Sequence, residues 1–170
     1  TDSRHSVRIR IDPKKPDVVY VCAFGHLFGK NKERGIYKTI DGGNTWKRIL
    51  FLNDSVAASD LVMDPVNPSV LYASFWNVKR TPYSLESGGP GSSLWKTTDG
   101  GATWTDITQN EGMPKGPLGI ITVSVSPVNT DKIFAMVEAA EGGLMRSDDG
   151  GTTWIRVNDE RKIRQRAWYF

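Results

Sequence analysis

The sequence has one cysteine and two histidines. A single thiol forms no disulfide within the chain, and Cys22 lies in the apolar run Val18 to Phe24, where it packs as a small hydrophobe. His5 and His26 have no cluster of further ligand types around them, so neither a metal nor a cofactor is expected. No apolar run approaches the roughly 18 residues that span a bilayer, and no stretch shows helical periodicity. The polar start Thr1-Asp2-Ser3-Arg4-His5 lacks the features of a secretory leader and an initiator methionine, and reads as the start of a processed or excised segment. A dominant charge is missing too. Lys and Arg number 22 against 19 Asp and Glu, a net +3, and the two signs are interspersed, so no nucleic-acid partner is expected. The densest basic stretch, residues 161–166, reads as a solvated connector.

What the chain does have is an octapeptide written three times. Thr39-Ile40-Asp41-Gly42-Gly43-Asn44-Thr45-Trp46 returns as Thr97-Thr98-Asp99-Gly100-Gly101-Ala102-Thr103-Trp104 and as Ser147-Asp148-Asp149-Gly150-Gly151-Thr152-Thr153-Trp154. Each copy is flanked by alternating apolar and polar residues, the pattern of a β-hairpin closed by an Asp-Gly-Gly turn. The carboxylate of Asp41, Asp99 or Asp149 can accept main-chain N–H bonds, the glycine pairs can take positive φ, and Thr45, Thr103 or Thr153 can bond back across the turn. Trp46, Trp104 and Trp154 then start the next strand and are expected to turn inward as buried aromatics. Three equivalent copies point to structural carboxylates, because an active site needs one constellation.

The same grammar precedes each turn: a strand, a Pro-containing turn (Pro13–Asp17, Pro65–Ser69, Pro127–Asp131), a second strand, a loop, then the hairpin. Four short antiparallel strands repeating about every fifty residues indicate propeller blades. The expected fold is all-β: a β-propeller segment with blades at 1–58, 59–119 and 120–163, and the first strand of a fourth blade at 164–170, ending Trp168-Tyr169-Phe170. Three blades and a strand form an arc, so the expected partners are the remaining blades of the same propeller or another chain closing the ring.

The repeated turns resemble the Asp-box (BNR) repeats of sialidases, xyloglucanases and sortilin-type propellers. With Asp60-Leu61-Val62-Met63-Asp64-Pro65, Ser87-Gly88-Gly89-Pro90-Gly91-Ser92, Gly116-Pro117-Leu118-Gly119, Glu141-Gly142-Gly143-Leu144 and Arg164-Gln165-Arg166-Ala167-Trp168-Tyr169, the whole chain is similar to large bacterial sortilin-like proteins often labelled glycosyl hydrolases. Ser6-Val7-Arg8-Ile9 departs from the Ile-Gly-Arg-Ile of that pattern. The resemblance implies an exported protein, secreted or periplasmic. It does not choose an activity, since this repeat occurs in enzymes, receptors and assembly factors, and no stretch here matches the catalytic motifs of the glycosidase relatives.

In a four-stranded meander the Pro-rich and Asp-Gly-Gly turns share one side, and the longer loops collect on the other. That loop side is expected to carry the ligand-binding candidates His26, Phe28, Arg34, Trp76, Arg80, Tyr83, Arg164 and Arg166. Aromatic rings among charged groups suit a glycan or a peptide. A glycosidase needs two carboxylates about 5–10 Å apart across a sugar; Asp54, Asp60, Glu86 and Glu111 are the candidates, and spacing singles out no pair. The preferred expectation is a non-catalytic segment presenting a loop surface to a protein, peptide or glycan. The alternatives are a fragment of a sialidase- or xyloglucanase-like glycoside hydrolase and purely structural blades.

Overall fold

The computed structural model describes residues 4–164. Among the described residues thirteen strands form three antiparallel sheets, and the chain is an all-β propeller segment. The first sheet is β1 (His5–Ile11), β2 (Val19–Gly25), β3 (Gly35–Thr39) and β4 (Lys47–Leu50), in sequence order. The second holds β5 (Val56–Met63), β6 (Leu71–Arg80), β8 (Ser93–Thr97) and β9 (Thr105–Asp106), with β7 (Leu85–Ser87) paired to the end of β6. The third is β10 (Ile121–Val125), β11 (Ile133–Val137), β12 (Gly143–Ser147) and β13 (Ile155–Asn158). One helical turn, α1 (Arg161–Arg164), follows. The tail read as the start of a fourth blade, Trp168-Tyr169-Phe170, lies outside the described residues.

The hydrophobic cores lie between sheets. One cluster joins Tyr20, Cys22 and Ile36 of the first sheet to Leu61, Leu71, Ala73 and Phe75 of the second. Another joins Tyr72, Leu94 and Ile107 of the second to Ile121, Val123, Ile133, Met145 and Trp154 of the third. The middle sheet is covered on both faces, which is why β6 is buried without alternation from Leu71 to Trp76. On β1 the outward row Val7, Ile9 and Ile11 is exposed, Ile9 and Ile11 by 58% and 56%.

The three Asp-Gly-Gly turns are copies in three dimensions. Asp41 accepts from the Thr39 hydroxyl (2.6 Å), the Thr45 amide (2.9 Å) and the Thr45 hydroxyl (2.6 Å). Asp99 does so with Thr97 and Thr103, and Asp149 with Ser147 and Thr153. Both glycines of each turn have positive φ, 68° and 97° at Gly42 and Gly43. Every turn is tied to the Pro-rich turn of its own sheet, through Gly42 N–H to Asp17 O (3.1 Å), Gly100 N–H to Ser69 O (2.8 Å) and Gly150 N–H to Asp131 O (2.9 Å). The two turn types therefore share one side of the molecule.

Two expectations need correction. The tryptophans are not equally buried: Trp154 is 3% exposed, Trp104 is half-buried and Trp46 is 44% exposed. Each ring folds back over its own second glycine, and what covers it further is the sheet on its other side, so burial follows neighbours and not local sequence. The loop expected between the second and third strands of the middle blade, residues 77–92, is also not a simple loop. β6 continues to Arg80 and pairs with β7 as a second hairpin, Val78 opposite Ser87 and Arg80 opposite Leu85. Its turn is closed by Thr81 N–H to Ser84 O (2.9 Å).

Candidate functional site

The loop side is built mainly by the first and second sheets. After β2 the chain folds around Arg34, whose Nη2 donates to the carbonyls of His26 (3.0 Å) and Gly29 (3.1 Å). Arg34 is buried, its guanidinium 5.8 Å from the centroid of the Phe24 ring. Among the described residues its Nε and Nη1 have no hydrogen-bond partner. Burial pushes the Arg34 guanidinium down from its ordinary value, and the charge of Asp54 opposes that shift. The residue holds the loop in shape from beneath.

This loop meets the β6–β7 hairpin through a parallel bridge between Phe28 and Arg80. The result is one continuous ridge made from two sheets. Phe28 is 55% exposed on it, and Tyr83, at the hairpin tip, is 97% exposed. Lys79 and Glu86 pair across the hairpin at 3.6 Å. Trp76, by contrast, is buried in a cluster with Phe24, Ala57 and Val78, its ring edge-on to Phe24 at 6.2 Å. Its indole N–H donates to Ser87 Oγ (2.9 Å), Ser87 donates to Glu138 Oε2 (2.6 Å), and that oxygen also accepts the Ile120 amide (2.9 Å). Trp76 thus sets the relay that fastens the hairpin to the third sheet. Glu138 carried no signal in the sequence, because nothing local marks the end of β11 as facing Ser87. Beside this relay a shallow cavity of about 400 Å³ is lined by Gly89, Pro90, Ser92, Ser93, Asp106, Thr108, Pro117 and Leu118.

The four carboxylate candidates are dispersed. Asp54 accepts from Ser55 Oγ (3.0 Å) and lies 3.7 Å from Lys30 Nζ. Glu86 is on the exposed hairpin. Asp60 is buried on β5 and accepts from Arg8 Nε (3.1 Å), its neighbour's amide Leu61 N–H (2.9 Å) and Val123 N–H (3.1 Å), pinning the first strands of all three sheets together. Glu111 is on the other side. The connector from β9 to β10 runs down beside β13, where Glu111 O accepts the Trp154 amide (2.8 Å) and Asn110 Nδ2 donates to Gly151 O (2.7 Å). Connector length alone does not say which way a connector folds. Arg164 ends α1, and Arg166 lies outside the described residues. Among the described residues no three of His, Cys, Asp and Glu gather as a metal site, and no helix is long and apolar enough to cross a membrane.

No protein-family model matches the chain. The chain is similar to xyloglucanases. A xyloglucanase of Paenibacillus sp is 27% identical over 86% of this chain, which spans 15% of that relative's length. Among solved structures, the GH74 enzyme of Niastella koreensis superposes with a TM-score of 0.60 at 24% identity, over 86% of this chain and 21% of that one. YCF48 bound to a D1 peptide superposes with a TM-score of 0.56 at 17% identity, over 94% of this chain and 41% of that one. At these identities the structural likenesses establish the fold, and the relative named above establishes a homology to part of a glycoside hydrolase.

Proposed function

We propose that this chain is a three-blade portion of an exported, xyloglucanase-like propeller, and that its loop side binds a β-glucan chain of the xyloglucan type without supplying the catalytic carboxylate pair. The observation that carries the reading is the ridge joined at Phe28 and Arg80. It presents two exposed rings, Phe28 and Tyr83, flanked by Lys79, Arg80 and Glu86. The C–H faces of a glucose ring stack on exposed aromatics, and charged groups beside them bond its hydroxyls. Hydrolysis needs two carboxylates flanking one bond; Asp60 and Glu111 lie away from the ridge, and Asp54 and Glu86 are paired with Lys30 and Lys79 at 3.7 Å and 3.6 Å, so this reading assigns no catalytic pair to the ridge. We read the repeated turns as Asp-box turns and the blades as 1–58, 59–119 and 120–163. A second reading, in which the same ridge takes a peptide, draws on the likeness to the peptide-bound YCF48 structure.

Affinity electrophoresis of the full chain in gels containing xyloglucan tests the proposal. Retardation is expected, weakened by Phe28→Ala or Tyr83→Ala and lost in the double variant. Migration unaffected by xyloglucan refutes it, as does retardation that both substitutions leave intact. Release of reducing ends by the chain alone would overturn the non-catalytic part.

A further inference from the structure

The two interfaces between sheets are closed by one device used twice. At the first, Tyr20 on β2 and Lys38 on β3 stand opposite each other, and both donate to the carbonyl of Gly100 in the next sheet's turn, at 3.1 Å and 2.8 Å. At the second, Tyr72 on β6 and Lys96 on β8 stand opposite each other and donate to Gly150 O, at 3.2 Å and 2.7 Å. In both, the ammonium also lies over the tyrosine ring, at 5.2 Å and 5.6 Å from its centroid. An isoleucine three residues after the turn's tryptophan completes each contact, Ile49 against Gly101 and Ile107 against Gly151. The receiving glycines Gly100, Gly101, Gly150 and Gly151 are all buried.

The first turn has the same backbone, with Gly42 and Gly43 in the same left-handed conformation and Asp41 in the same bonds, yet among the described residues it receives no such pair. Gly42 is exposed, and no described hydrogen bond reaches its carbonyl. Trp46 is open where Trp154 is covered, and Ile9 and Ile11 on the same side of the sheet are open as well.

We infer that this face, made of the Gly42 carbonyl, Gly43, Trp46 and the β1 row Ile9 and Ile11, is a docking surface for a further propeller blade. That blade carries a tyrosine and a lysine opposite each other on its second and third strands and an aliphatic residue on its fourth. A second copy of this chain is a poorer occupant. At the matching positions its third sheet offers Phe134 opposite Arg146, with no hydroxyl, and Val157; Arg146 is already paired to Asp148 at 3.0 Å. The inference concerns the turn side and the flank of the first sheet, and stands apart from whatever the loop side binds.

The mismatch supplies the test. In the full chain, Phe134→Tyr, Arg146→Lys and Val157→Ile together install the missing device on the third sheet, at positions that are not fully buried, with the far-ultraviolet spectrum checking that the fold is kept. Light scattering over a concentration series is expected to show self-association roughly tenfold or more tighter than the unaltered chain. Adding Asn44→Lys, which sets a second cation beside the incoming lysine, is expected to reverse the gain. Equal association of the triple variant and the unaltered chain overturns the inference, and so does a gain that Asn44→Lys leaves in place.

Discussion

Truncating the three tryptophans one at a time should cost very different amounts, although their local sequences are nearly identical. Trp154 is 3% exposed, donates its indole N–H to Gly151 O at 3.2 Å and packs in the cluster with Ile107, Met113 and Tyr72. Trp154→Ala removes a fully buried aromatic and leaves a cavity, a loss of about 3–5 kcal/mol. Trp46 makes the same kind of bond, to Gly43 O at 3.0 Å, but is 44% exposed. About half of its area is already in water, so Trp46→Ala should cost about 1–2 kcal/mol. Trp104, half-buried against the first cluster, falls between. For a chain of this size each kcal/mol moves the midpoint about 2–4 °C, so Trp154→Ala should melt roughly 6–20 °C lower and Trp46→Ala roughly 2–8 °C lower. Differential scanning calorimetry, with urea titration as a second reading, would measure the ranking. Equal losses for Trp46→Ala and Trp154→Ala would refute the claim that the adjoining sheet, and not the turn, fixes their burial.

Two further outcomes follow from the same geometry. Tyr72→Phe deletes a buried hydroxyl and one of two donors to Gly150 O, for a loss of about 1 kcal/mol; with Lys96→Met in addition the effects should be non-additive, because both groups serve one carbonyl. Urea unfolding of the two single variants and the double variant measures the coupling, and strict additivity would argue against a shared role. The second concerns pH. The Thr39 and Thr45 hydroxyls hold the Asp41 carboxyl down at about 2, and Thr153 and Ser147 do the same for Asp149 at about 2. Thr103 and Thr97 hold Asp99 well below the ordinary range. A depressed folded value contributes stability above the unfolded pKa, lost as pH falls through the folded one, so melting temperatures should be level toward neutrality and drop between about pH 4 and pH 2. Asp41→Asn should flatten part of that drop, and an unchanged acid profile would count against the bonding.

The repeat, the strands beside it and the position of its turns were legible in the sequence because they rest on local chemistry. Asp-Gly-Gly needs positive φ wherever it occurs, and Thr45, Thr103 and Thr153 reach their aspartates over a few residues. That the Pro-rich and Asp-Gly-Gly turns share one side also followed from strand count alone. Other features depend on a neighbour far along the chain. Tyr20 meets Gly100 eighty residues away, and Asp60 holds Val123 across sixty-three. Glu138 receives Ser87 across fifty-one, and the exposure of Trp46 is set by the absence of any described sheet beyond it. A sequence repeat makes the blades alike, but burial belongs to the spaces between blades. Only the packed structure decides that Trp76 is covered, that Glu111 turns away from the loops, and that the first turn stands open.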